Sequence, residues 1–193
     1  IQRAMPGTVT GKKIALVEQL NRADVAALFL EELKIDVLYA RRTPKTFDTA
    51  FKDPEKAKTT TAGRTSAADI GSHPLRADIE GIIRIGMRGL EVYPDGSFRP
   101  DERVDRATYA MMIEDILIRI SGDNALATRF IGSSSPFPDL RADLPYFNAV
   151  MVVTSRGLME ARDMVSGAFS PRETVGGADA LLVIRKMREE LRY

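Results

Sequence analysis

Two hydrophobic patterns alternate along the chain. In the first, almost every position is apolar. Residues 106–120 carry Ala107, Tyr109, Ala110, Met111, Met112, Ile113, Ile116, Leu117, Ile118 and Ile120, which predicts a helix roughly 22 Å long that is buried on most sides. Comparable helices are predicted over 22–36 (Val25, Ala26, Phe29, Leu30, Leu33) and 177–191 (Leu181, Leu182, Val183, Ile184, Met187, Leu191). In the second pattern, apolar residues form one stripe at spacings of three and four. Leu75, Ile79, Ile82, Ile83 and Gly86 do so within 74–87, and Tyr146, Ala149, Val150 and Val153 within 145–158. These predict amphipathic helices lying on a core. Pro74 suits a first helical turn, and Gly86 or Gly89 a stop.

The patterns recur because the sequence repeats. Leu20-Asn21-Arg22-Ala23-Asp24-Val25-Ala26, Val104-Asp105-Arg106-Ala107-Thr108-Tyr109-Ala110 and Val175-Gly176-Gly177-Ala178-Asp179-Ala180-Leu181 each place a polar cap before an apolar helix. The first two lie 84 residues apart and the last two 71 apart. Gly96-Ser97-Phe98-Arg99-Pro100 matches Gly167-Ala168-Phe169-Ser170-Pro171, Gly86-Met87 matches Gly157-Leu158, and Ala68-Asp69-Ile70 matches Pro138-Asp139-Leu140. The unit therefore reads as first helix, glycine stop, Gly-x-Phe-x-Pro loop, cap, second helix. Residues 1–38 hold a partial unit, 69–121 and 137–193 fuller ones, and 122–136 a connection. Residues 39–68 read as a solvated linker with an excess of four positive charges over 41–66 and one helical turn around 46–51. No helix pair alone could cover its apolar surface, so the economical arrangement is an all-α, pseudo-threefold bundle with the apolar helices at the centre.

Composition narrows the chemistry. The 193 residues carry a formal charge of +1, so no global field holds a nucleic acid. Cysteine is absent, which excludes disulfide scaffolds, zinc–thiolate sites and thiol nucleophiles. The single histidine, His73, precedes Pro74 and reads as a cap or packing residue. No apolar run reaches the ~18–20 residues of a membrane span. The chain begins at Ile1, as expected of a fragment. No paired-carboxylate constellation, phosphate loop or nucleophile elbow stands out, so no enzyme, cofactor or metal is expected. Asp95-Gly96-Ser97 fails as a calcium loop, because Arg99 stands where an oxygen ligand belongs.

The cap motifs carry the candidate chemistry. Asn21 and Asp105 can accept bonds from first-turn amides, and Asp24 and Thr108 can bond back. Arg22 and Arg106 are less easily explained, because a cation at the first helical position opposes the helix dipole. One reading pairs them with an acid such as Asp101 or Asp139; the other has them grip a ligand carboxylate or phosphate in bidentate fashion. Phe98 reads as a core plug, and Tyr93 as either buried or a stacking face for a sugar. Tyr93, Asp95 and Arg99 of the turn complete the candidate ligand-binding set of Arg22, Asp24 and Arg106.

Gly86-Met87-Arg88-Gly89, Tyr93-Pro94-Asp95-Gly96-Ser97-Phe98-Arg99-Pro100 and Val104-Asp105-Arg106-Ala107-Thr108-Tyr109-Ala110 together resemble the S-layer homology repeat. The likeness is strong over 69–120, moderate over 137–191 from Phe137-Pro138-Asp139 onward, and partial over 11–36. The first helix of the first repeat is not recognisable. The resemblance implies a three-pronged helical bundle that anchors exported proteins non-covalently to anionic, often pyruvylated, cell-envelope polysaccharide. It implies an anionic-sugar contact for Arg22 and Arg106. Asp24 and Thr108 stand for the family's Glu, Asn21 and Asp105 for its Thr, and Gly176-Gly177 for its Thr-Arg. The family's first-helix Trp is missing, with Tyr146 or Phe147 the nearest substitute. The competing reading is a module that packs against another envelope protein and binds no glycan.

Overall fold

The computed structural model describes residues 7–42 and 66–191; residues 43–65, where most of the expected linker and its turn at 46–51 fall, lie outside the described residues. The chain is all-α. Its helices are α1 (Val9–Ile14), α2 (Arg22–Ala27), α3 (Ile35–Arg42), α4 (Arg76–Ile85), α5 (Arg106–Ser121), α6 (Phe147–Ser155) and α7 (Gly177–Glu190). Four sit where the apolar patterns put them, and their ends follow the expected chemistry. Asp105 caps α5 by accepting from the Thr108 amide at 2.7 Å, and Asn21 and Asp24 form a reciprocal capping box on α2. Gly86 and Gly122 end α4 and α5 at φ 72° and 71°, a region that costs glycine little. His73 accepts from the Leu75 amide at 3.0 Å and so shapes the entry to α4.

The predicted helix over 22–36 is three pieces. After α2, the backbone widens into a π-helical turn, Leu28–Glu32, with the Leu33 amide bonding back to the Leu28 carbonyl. The extra residue lets Leu28, Phe29 and Leu33 all stay buried. Lys34 then breaks the helix at φ 57°, and α3 begins. Its Ile35, Leu38 and Tyr39 bury one face against α5, so residues 39–42 of the expected linker are helix. Two elements had no sequence expectation. The short α1 is capped by Thr8 and held by Glu32, which accepts from the Thr8 amide, the Thr8 hydroxyl and the Gly7 amide at 2.9, 2.6 and 3.2 Å. Within 122–136, a 3-10 turn at Asn124–Thr128 buries Leu126 against α5 and α6.

The three cap segments meet in a closed ring. The Leu20 amide donates to the Val175 carbonyl, Val175 to Val104, and Val104 to Leu20, each at 3.0 Å. Around the ring, the first amides of each helix donate to the loop that precedes the next cap. Arg22 and Ala23 bond the carbonyls of Glu102 and Pro100, Arg106 and Ala107 those of Glu173 and Pro171, and Gly177 that of Val17. These are the donors that a helix leaves without an internal partner. Below the ring, the buried Tyr109 stacks on Phe29 at 5.9 Å and donates its hydroxyl to the Ala180 carbonyl of α7.

The loops repeat too. Asp69 accepts from the Phe98 and Arg99 amides at 2.7 and 2.8 Å, and Asp139 from the Phe169 and Ser170 amides at 2.9 and 2.8 Å. This clamp holds Arg99 and Ser170 at φ 56° and 57° and presses Phe98 and Phe169, both fully buried, into the core.

Two expectations follow. A Cβ at Gly177 would lie 1.9 Å from the Ile14 carbonyl oxygen, a backbone atom that cannot step aside. Gly177→Ala is expected to lose about 1–3 kcal/mol, read as a lower urea midpoint. Asp78 on α4 is pushed up to about 6, first by burial and then by the charge of Glu31. Its folded form holds the proton more tightly than the unfolded chain, so the stability it contributes is lost as pH rises through about 6. Asp78→Asn is therefore expected to raise the melting temperature at pH 7.5 more than at pH 4.5; an equal change at both would refute the coupling.

Candidate functional site

Arg22 and Arg106 turn inward from the cap ring. Arg22 is 7 % exposed and donates from Nε to the Phe98 carbonyl, from Nη1 to Gly89 and from Nη2 to Glu91, at 2.8, 2.8 and 2.7 Å. Arg106, 5 % exposed, donates from Nε to the Phe169 carbonyl and from Nη2 to Glu160, at 2.9 and 2.6 Å. Each guanidinium also lies 4.6 Å from the ring centre of the same phenylalanine. The motif arginine thus ties its helix to the loop of the following repeat. Neither makes a close acid pair with Asp101 or Asp139: the acid nearest Arg22 is Glu102, at 3.9 Å from Nε. Burial pushes both guanidinium groups down from their ordinary value, with nearby acids opposing the shift.

The turn residues gather round Arg22. The Arg22 and Arg99 guanidinium groups lie 4.8 and 3.9 Å from the Tyr93 ring centre, and the Tyr93 hydroxyl donates to Glu102 at 2.5 Å. Arg99 therefore lies where a stacked sugar would need the ring. Asp95 accepts from the Ser97 amide and hydroxyl at 2.9 and 2.6 Å and pairs with Arg99 at 3.4 Å. These bonds hold its carboxyl below its ordinary value. Asp24 stands apart from this group. It receives the Asn21 amide at 3.2 Å in the capping box, and burial raises its carboxyl. The structure thus brings together Arg22, Tyr93, Asp95 and Arg99, and separates from them Asp24 and Arg106.

Arg106 does face a cleft. A groove of about 120 Å³ runs beside it, lined among others by Glu160, Arg162, Asp179 and Lys186. It adjoins a second cavity of about 420 Å³, between residues 15–19 and the start of α7, through the shared Arg106, Arg162 and Asp179. Arg162 is half-exposed. Its Nε donates to Glu173 at 3.2 Å, and its Nη1 lies 3.8 Å from Asp179, beyond hydrogen-bond length. The outer fork of its guanidinium is thereby left for a ligand. Lys186 donates from Nζ to the Gly157 carbonyl at 2.9 Å and lies 3.9 Å from Glu160. A carboxylate entering the groove meets a guanidinium fork and an ammonium group against one apolar wall of Leu158, Leu182 and Val183.

Sequence reasoning missed Arg162 and Lys186, because it looked for cations only at the cap positions. The 71-residue offset could have found them: it sets Arg162 opposite Glu91 and Lys186 opposite Asp115.

Clasped arginines, aspartate-clamped loops and a shared cap ring define a helical module. Among the described residues, no group of three or more His, Asp or Glu could hold a metal ion. Residues 90–110 match the model of the S-layer homology domain. Over 116 residues, 58 % of this chain, it is 32 % identical to Cell surface glycoprotein 1 of Acetivibrio thermocellus, and it spans 4 % of that protein's length. The likeness to the S-layer homology domain thus rests on the Tyr93–Pro100 loop and the start of α5.

The inward turn of Arg106 gives a stability expectation. Arg106→Met removes the donor to the buried Phe169 carbonyl and is expected to cost about 1–3 kcal/mol in urea unfolding. A change within ±0.5 kcal/mol, as for an ordinary surface residue, would show that the clasp bears no weight.

Proposed function

We propose that this chain is a non-catalytic anchoring module of an exported protein, which it holds to the cell envelope by binding an anionic polysaccharide in the Arg106–Arg162–Lys186 groove. The observation that carries the reading is the groove itself. It places three cations beside two acids at a repeat boundary, and one of the cations keeps its outer guanidinium donors open. Carboxylate-bearing sugars, including pyruvate ketals, suit a bidentate fork, and the Leu158–Leu182–Val183 wall offers an apolar surface to the pyranose face. Arg106 acts from behind, by fixing the Glu160 and Phe169 backbone that forms the groove wall and by adding positive potential. On the neighbouring repeat Arg22 fixes the Gly89 and Glu91 backbone in the same manner. The match of residues 90–110 to the S-layer homology domain and the likeness to a cell surface glycoprotein support the envelope location. Among the described residues no helix is long and apolar enough to cross a membrane.

The test is co-sedimentation of the chain with pyruvylated cell-wall polysaccharide and with the same polymer after mild-acid removal of its pyruvate. Binding to the first, weaker to the second and falling as salt rises, is expected. Failure to bind either polymer, alongside a stable complex with another envelope protein, would favour the packing-module reading instead.

A further inference from the structure

We propose that the chain takes up the acidic saccharide in one groove rather than in each of two repeat-related ones, and that Arg162 and Lys186 are the residues that decide which. This rests on the anionic-saccharide reading above. A groove of about 310 Å³ on the preceding repeat is built from the same positions as the Arg106 groove. Gly89, Glu91, Thr108, Met111 and Met112 line it, 71 residues before Glu160, Arg162, Asp179, Leu182 and Val183. Its wall is fixed in the same way, since the Gly89 carbonyl accepts from Arg22 as Glu160 accepts from Arg106.

The charges are reversed. The Arg106 groove has Arg106, Arg162 and Lys186 against Glu160 and Asp179. Its counterpart has Arg88 against Glu91 and Glu114. Glu91 holds the place of Arg162, and Asp115 that of Lys186. Asp115 lies behind this groove, pushed up by burial against the charges of Arg119 and Arg88, and one of its oxygens is buried without a hydrogen-bond partner. Glu114 is not released for a ligand either, because it accepts from Asn148 at 2.6 Å. A sugar carboxylate entering here meets the carboxyl groups of Glu91 and Glu114 around the single guanidinium of Arg88. In the Arg106 groove it meets the open fork of Arg162 and the two remaining N–H groups of Lys186.

Calorimetric titration of the chain with an oligosaccharide cut from the pyruvylated polymer, and with its depyruvylated form, tests this. The expected result is one pyruvate-dependent site per chain, weakened at least tenfold in R162Q/K186Q. E91R/D115K, which carries the opposite grafts into the other groove, is expected to gain a second site. Both pairs are partly solvent-facing, and circular dichroism checks that each variant folds. Two equal sites in the wild-type chain, or affinity within twofold of wild type in R162Q/K186Q, would overturn the assignment while leaving the envelope-anchoring reading intact. Absence of any binding by the wild-type chain would instead overturn that underlying reading, and the assignment with it.

Discussion

Everything in this fold hangs from the first amides of three helices. A helix begins with N–H groups that it cannot satisfy itself, and here the neighbouring repeat satisfies them. Leu20, Val104 and Val175 close the ring of backbone bonds, and the amides just inside it find loop carbonyls on the next repeat. No repeat completes its own helix start. Association of the repeats is thus a backbone requirement before it is a matter of apolar area. The Tyr109 contacts with Phe29 and Ala180 then lock the core beneath the ring.

The arginine at the first helical position follows from the same constraint. In isolation a cation there is misplaced, because it sits at the positive end of the helix dipole. In the assembled chain it reaches past the helix start to the carbonyl groups of a loop that curves around it. Those carbonyls offer the negative potential that the helix end lacks. Asp69 and Asp139 hold the loops in that curve by gripping two successive amides each. Acid, loop, phenylalanine and arginine form one device, present at two of the three junctions.

The third junction solves the problem by another route. Gly176 gives α7 no side-chain cap, and the backbone of residues 14–17 fills the space where an arginine would emerge from position 177. The Gly176-Gly177 pair that stands where the other two caps carry an arginine is therefore fitted to that backbone. The short α1, held down by the buried Glu32 carboxylate, brings that backbone into place. Burial alone would push this carboxyl up, yet the bonds from Thr8 and Gly7 and the charge of Arg188 hold it below its ordinary value.

The sequence by itself determined the repeat, four of the helices, their caps and the plug role of Phe98, because periodicity, capping chemistry and glycine stops act over a few residues. It also marked Arg22 and Arg106 as unusual. It did not determine which way they point, since that depends on carbonyls 54 to 76 residues distant. α3 escaped notice because its burial comes from α5, far along the chain, while its own residues lead into a basic stretch. Only the tertiary structure decided that the motif arginines face the protein interior, that Arg162 and Lys186 border an open groove, and that Gly177 is required. Each of these is set by which backbone arrives opposite the side chain, and local sequence carries no record of that partner.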